Sequence, residues 1–205
     1  MKRLLLTALL ALPLAASAAD WVTIFDGKSL DGWKAGGSAE SFRIEDGKLV
    51  IQGKPMGHLF YVGDVRNHDF KNFELKLEIM TTPGSNGGVY FHTKYQPQGW
   101  PEHGFEAQVN ATHGDNKKGG GLYGVADITE SPAPDNVWWT YHIIVKDKKV
   151  TLKVNDKVSM EWTEPEGYEH PQFKHRKLSS GTFALQAHDP KSIVYVRNIR
   201  VKPLP

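Results

Sequence analysis

Phe73-Glu74-Leu75-Lys76-Leu77-Glu78-Ile79 decides the fold. Every second residue is apolar and every residue between is charged. An extended strand with one face in a core and the other in water reads this way, because successive side chains point to opposite faces. The same period returns on both sides of this stretch. Phe105, Ala107 and Val109 alternate with Glu106, Gln108 and Asn110. Tyr141, Ile143 and Val145 alternate with Thr140, His142 and Lys146, and Phe183, Leu185 and Ala187 with Gln186 and His188. Half-buried antiparallel strands are expected throughout. No long stretch has helical period, and only a short helical turn is expected near residues 65–68.

Turn chemistry separates the runs. Asp46-Gly47 lies between Phe42-Arg43-Ile44 and Leu49-Val50-Ile51, a strong hairpin signal. Asn155-Asp156 joins two further runs, and Pro83-Gly84 and Asn86-Gly87-Gly88 break the chain before Val89. Many short strands with Gly and Pro turns point to an all-β sandwich or barrel. Residues 94–103 and 163–178 read as long loops, which in a compact domain usually carry function.

The start of the chain reads differently. Lys2 and Arg3 precede an apolar run from Leu4 to Leu14, and Ala16-Ser17-Ala18 offers a small-x-small cleavage pattern. Residues 1–18 are expected to be a signal peptide, leaving residues 19–205 as one domain, periplasmic or secreted. The run is too short to span a bilayer as a helix. The chain has no Cys, so neither a disulfide nor a lipid thioether can form on it, and no membrane anchor is expected.

Charge narrows the partners. Without Lys2 and Arg3, basic and acidic residues balance at 23 each, with no block of one sign. Nucleic acid and anionic membranes are poor partners for such a surface. Six Trp and seven Tyr are many for 205 residues, and flat aromatic faces suit the apolar faces of sugar rings as well as cores.

Three features could carry chemistry. In Gly104-Phe105-Glu106-Ala107-Gln108-Val109-Asn110 the carboxylate and two amides project from one face, a set able to pair with sugar hydroxyls, and Glu106 could act as a general base. Alternation alone favours a solvated outer face, where Glu, Gln and Asn are ordinary. Nine His residues form the second feature, with His92 on the polar phase of its strand, His188 beside Asp189, and His103 and His113 flanking the Glu106 run. Such residues can shuttle protons or bind a divalent metal ion, but no His-Glu-x-x-His spacing is present and no ligand set is assigned. The third is Gly119-Gly120-Gly121-Leu122-Tyr123-Gly124, where glycines would let a ligand approach the backbone. No Lys-Ser/Thr follows as in a phosphate loop, and no Gly-x-Ser-x-Gly elbow occurs.

Taken in order, Phe25-Asp26-Gly27, Leu30-Asp31-Gly32-Trp33-Lys34, Asn86-Gly87-Gly88-Val89-Tyr90-Phe91-His92, Gly104-Phe105-Glu106-Ala107-Gln108, Leu122-Tyr123, Gly181-Thr182-Phe183-Ala184-Leu185-Gln186-Ala187-His188-Asp189 and Val196-Arg197-Asn198-Ile199-Arg200-Val201 resemble the 3-keto-disaccharide hydrolase family. The resemblance implies a concanavalin A-like jelly roll of two antiparallel sheets, with the site on one concave face. It also implies cleavage of glycosides oxidised to a ketone at C3, by proton abstraction at C2, elimination at C1 and hydration. On that basis Glu106 or a nearby His would be the base. His92 and His188 would be donors, or ligands if a metal polarises the ketone. Asn86, Gln108 and Tyr123 would hold hydroxyls, and Trp100 or Trp139 would offer a stacking platform, although Trp139 also reads as a core residue. Two departures stand out. The family's common Asn-Ser-Gly reads Asn86-Gly87-Gly88, and its common Phe-Arg reads Phe91-His92, which exchanges a fixed cation for a titratable ring. The Glu-x-Asp-x-x-Glu strand of β-glucanases with this fold is absent. A non-catalytic carbohydrate-binding module would use the same face without a base.

Overall fold

The structure is a computed structural model that describes residues 20–205. The expected signal peptide, residues 1–18, lies outside the described residues. The strands are β1 (Val22–Phe25), β2 (Trp33–Gly37), β3 (Phe42–Glu45), β4 (Lys48–Gln52), β5 (Gly57–Tyr61), β6 (Phe73–Thr81) and β7 (Asn86–Thr93). They continue with β8 (Phe105–Asn110), β9 (Trp139–Lys146), β10 (Lys149–Val154), β11 (Lys157–Thr163), β12 (Thr182–Ala187) and β13 (Ile193–Pro203). Two 3-10 turns, Ala39–Ser41 and Val65–His68, are the only helical elements among the described residues.

The strands form two antiparallel sheets. The larger has the order β11-β10-β9-β6-β13-β4-β3, with β1 also paired to β13; the smaller has the order β2-β5-β12-β7-β8. This is the all-β sandwich that the alternation demands. Turn chemistry fixes its hairpins. Asp46 and Gly47 take φ of 48° and 73° between Glu45 and Lys48, and Asn155 and Asp156 take 49° and 62° between Val154 and Lys157. Two successive positive φ values give the twist that joins antiparallel strands, and Asn, Asp and Gly tolerate them best.

The core lies between the sheets. Leu75, Leu77 and Ile79 of β6 and Tyr141 and Ile143 of β9 meet Val89 and Phe91 of β7, Phe105 and Ala107 of β8, and Phe183 and Leu185 of β12. Phe70 stacks on Phe183 with ring centroids 4.6 Å apart. Each fully buried large side chain of this kind contributes about 1.5–3 kcal/mol.

Trp139, a candidate stacking platform by sequence, belongs to this core. It is 4% exposed and packs against Tyr141 with ring centroids 5.0 Å apart and planes tilted by 56°. The strand period puts it in phase with Tyr141 and Ile143, facing inward.

His92 likewise does not face outward as its strand phase implied. Thr93 pairs with Thr182 but Tyr90 pairs with Ala184, so two residues of β7 oppose one of β12. This is a β-bulge, and His92 sits in it with φ of 54°. The bulge breaks the alternation that would have aimed His92 outward. The ring instead lies edge-on to Phe73 and Phe91. Its Nε2 is bonded to the Lys71 carbonyl at 2.8 Å, and Nδ1 accepts the Ser179 N–H at 3.2 Å. Burial holds its pKa down at about 4. His92 is a neutral staple between segments, away from the pocket described below.

Candidate active site

The outer face of the smaller sheet carries the polar phase of its central strands. Register brings Tyr90 opposite Glu106, Gly88 opposite Gln108 and Asn86 opposite Asn110. On the other side Ala184 is opposite both Tyr90 and Phe60, and Gln186 is opposite His58. Three loops cover this face. Residues 94–103 are tied to the sheet edge by the Gly37 N–H on the Pro97 carbonyl, 2.8 Å. Residues 111–138 run along β8, where the Tyr123 N–H reaches the Glu106 carbonyl at 2.9 Å. Residues 163–178 lie against them through Arg176, whose Nη1 donates to the Tyr123 carbonyl at 3.0 Å. A pocket of about 250 Å³ remains between loops and sheet.

Glu106 stands in this pocket, 5% exposed. Its Oε2 accepts the Tyr90 hydroxyl at 2.8 Å and its Oε1 accepts the Gln186 amide at 2.7 Å. Gly88 makes room for it, since a Cβ there would overlap the Glu106 carboxylate. Burial penalises the charged carboxylate and raises its pKa to about 7, although Tyr90, Arg176, Gln186 and His188 all act to lower it. A carboxyl poised there can accept a proton at neutral pH and release it again.

His188 lines the same pocket, between Trp100 at 5.7 Å and His113 at 5.6 Å. Its Nδ1 bonds Asp189 Oδ2 at 2.8 Å. Burial alone would raise the Asp189 pKa. Hydrogen bonds from Ser192, His188 and the Lys191 and Ser192 N–H groups outweigh it and bring the value to about 2. Asp189 thus stays ionised and orients the imidazole, leaving Nε2 unbonded among the described residues.

Of the residues singled out by sequence, Glu106, His188, Asn86, Gln108, Tyr123 and Trp100 meet at one pocket, and His92 and Trp139 do not. Gln108 Nε2 is shared between Asn86 Oδ1 at 3.3 Å and the Lys117 carbonyl at 3.2 Å, so it braces the pocket wall. Four further lining residues with polar side chains were given no role by sequence: Tyr90, Gln186, Asp115 and Arg176. Tyr90 and Gln186 share the strand phases of Asn86 and His188, so period two could have found them. Arg176 comes from a loop, where no periodicity marks the inward side. It supplies a fixed cation to this pocket, buried against Phe173 with 4.1 Å from guanidinium to ring centroid. Among the described residues no group of three or more His, Cys, Asp or Glu side chains is placed to hold a metal ion.

Comparison with known proteins gives the chain its family. A 3-keto-α-glucoside-1,2-lyase-like domain matches residues 20–202. The chain belongs to that family. A 3-keto-disaccharide hydrolase of Bacteroides thetaiotaomicron is 35% identical over 88 residues, which are 40% of this chain and only 30% of that protein. Among solved structures, a candidate glycosyl hydrolase from Parabacteroides distasonis superposes with a TM-score of 0.76 at 23% identity, covering 90% of this chain and 94% of that one. A carbohydrate-binding module from Bacillus subtilis gives 0.60 at 11% identity, covering 83% and 95%. At such identities the structural likenesses establish the jelly-roll sandwich and no more.

Proposed function

We propose that this pocket cleaves glycosides carrying a ketone at C3, by elimination followed by hydration. The ketone acidifies the proton on C2. Glu106 removes it, and the electrons form an enolate whose oxygen faces the Arg176 cation. The enolate collapses, the C1–O bond breaks, and the leaving oxygen takes a proton from His188. Water then adds across C1 and C2, with hydroxyl to C1 and a proton returned to C2, so the net change is hydrolysis. Asn86 and Tyr123 hold ring hydroxyls and Trp100 covers the sugar. A positioned base contributes about 10²–10⁴-fold, and fixed charge at a developing oxyanion contributes a comparable factor or more.

One observation carries this reading beside the family match. The pocket of a 3-keto-glucoside-lyase-like chain holds a buried carboxyl with its pKa raised to about 7. An ordinary glycosidase would need a second carboxylate across the scissile bond, and Asp115 is the other acidic side chain lining the pocket. The binding-module reading shares the fold of the Bacillus subtilis module but gives the raised pKa no task.

The deciding experiment is incubation with a 3-keto-glucoside and its unoxidised counterpart, with and without chelator. The proposal expects turnover of the oxidised substrate at least about a hundredfold faster. Equal rates would discard the elimination, and no turnover of either would favour the binding module. We propose further that the chain is exported, on the strength of Lys2, Arg3, the apolar run and Ala16-Ser17-Ala18. Intact-mass measurement on protein from its native host should then find an N-terminus near Ala19, and Met1 retained on a cytoplasmic species would contradict it.

A further inference from the structure

Polar side chains sealed in a protein almost always find a partner, so those that do not point to a use. Among the described residues four buried side-chain atoms have none: His58 Nδ1, His58 Nε2, Gln186 Oε1 and Thr93 Oγ1. Three of the four sit together. His58 and Gln186 are register partners on β5 and β12, both on the pocket face, and are 1% and 3% exposed. Gln186 cannot turn its oxygen elsewhere while its Nε2 donates to Glu106 Oε1 at 2.7 Å.

On the solvent side Trp100 lies over this spot. The Trp100 ring lies edge-on to His58 at 5.5 Å, and His58 rests on Tyr90 below at 5.3 Å. Trp100 is itself 48% exposed, the mark of a cover more than of a core residue. Its backbone is pinned. Gln96 Nε2 donates to the Gln98 and Trp100 carbonyls at 3.0 and 2.6 Å, and Gln96 Oε1 accepts the Glu102 N–H at 3.0 Å. These bonds hold the loop's own shape, so uncovering the spot would require only that the indole turn about its side-chain bonds.

We propose that Trp100 covers a second subsite, in which His58 and the Gln186 carbonyl take neighbouring hydroxyls of the sugar ring bonded to the one that lies over Glu106. The site rests on the glycoside reading above and deepens it. A neutral imidazole offers one N–H donor and one acceptor nitrogen, and the amide oxygen adds an acceptor. Vicinal hydroxyls, each donor and acceptor, satisfy all three atoms. An apolar aglycone would leave them unpaired, so the site selects a hydroxylated partner ring. Gln186 touches both the partner ring and the base, which links recognition of the second sugar to the position of Glu106.

The test compares wild type and His58→Leu on a disaccharide and on a methyl glycoside, by calorimetric titration with the unoxidised forms and by turnover of the 3-keto forms. The preference for the disaccharide should fall about tenfold in the variant, the worth of one or two hydrogen bonds. Its melting temperature should rise, because unpaired buried nitrogens have been removed. An unchanged preference overturns the subsite, as does a lowered melting temperature with equal losses for both sugars. Failure of the elimination chemistry would show separately, as turnover of the 3-keto forms no faster than that of the unoxidised ones. Trp100→Ala provides a second arm. Uncovered, His58 should titrate well above about 4 by NMR, and a value that stays there would show that Trp100 is not the cover.

Discussion

Glu78 and Glu106 are both glutamates on the outward phase of a β-strand, one in each sheet. Glu78 lies in β6, where buried and half-buried residues alternate along the strand. It accepts hydrogen bonds from Arg197 at 2.7 Å and Asn198 at 2.7 Å, and its pKa is lowered: these bonds and the Arg charges outweigh a burial effect that would raise it. Glu106 lies in β8, where all six residues are buried. Its pKa moves the other way, to about 7. The residue type and the strand phase are the same, so the difference comes from what lies above the sheet. Nothing covers Glu78 closely, and its charge is paired and partly solvated. Three loops cover Glu106, and the same chemical group becomes a reactive one. A β-strand decides which way a side chain points, and its loops decide what that direction is worth.

The largest test of this contrast is kinetic. Glu106→Gln should cost at least about a hundredfold in kcat on a 3-keto-glycoside, because the amide keeps the shape but cannot take the C2 proton. Glu78→Gln should leave kcat within about twofold. If both variants lose activity alike, the distinction between the two faces fails. Arg176→Gln should cost about tenfold or more in kcat and shift the basic rise in rate to higher pH, since the Arg176 charge helps to hold the Glu106 pKa down. An unshifted pH midpoint would show that the guanidinium does not act on Glu106.

Stability against pH gives the next effect, and its sign separates the groups. Glu106 binds its proton more tightly folded than unfolded, so its contribution is present below about pH 4.5 and is lost as pH rises through about 7. The loss amounts to roughly 3 kcal/mol at most for such a shift. His58 and His92 act in the opposite sense. Burial lowers both to about 4, so their contribution is present above about pH 6.5 and is lost as pH falls through 4. The two slopes oppose each other between about pH 4.5 and 6.5. Glu106→Gln should therefore unmask a steeper rise in melting temperature across that window, and an unchanged profile would mean that Glu106 is ionised like any surface carboxylate. The smallest effect belongs to the open face. Glu74 bonds His142 at 2.8 Å and pairs with Lys202 at 3.5 Å, and Glu74→Gln should cost about 1 kcal/mol or less in denaturant unfolding.

The sequence showed the sandwich because strand alternation and turn chemistry are local properties. Phe73 to Ile79 could not sit comfortably as a helix, and Asp46-Gly47 could hardly be anything but a turn. Glu106, Gln108 and Asn110 could be put on one face for the same reason. His92 was misplaced because a bulge breaks the period without a local signature, and the ring then turned inward. Arg176 went unseen because loop residues have no phase to read, whereas the core position of Trp139 was legible, since it shares the strand phase of Tyr141 and Ile143. That the Glu106 face is covered was also beyond local reading. Its roof is built from residues 94–103, 111–138 and 163–178, and only the folded chain brings them over β8.

The central claim is that covering this face turns Glu106 into a base that titrates near neutrality. Infrared difference spectra between wild type and Glu106→Gln across pH measure that most directly, through the protonated carboxyl band. The account predicts a band specific to wild type that disappears with a midpoint near pH 7. A Glu106 carboxyl already ionised at pH 5 would contradict it.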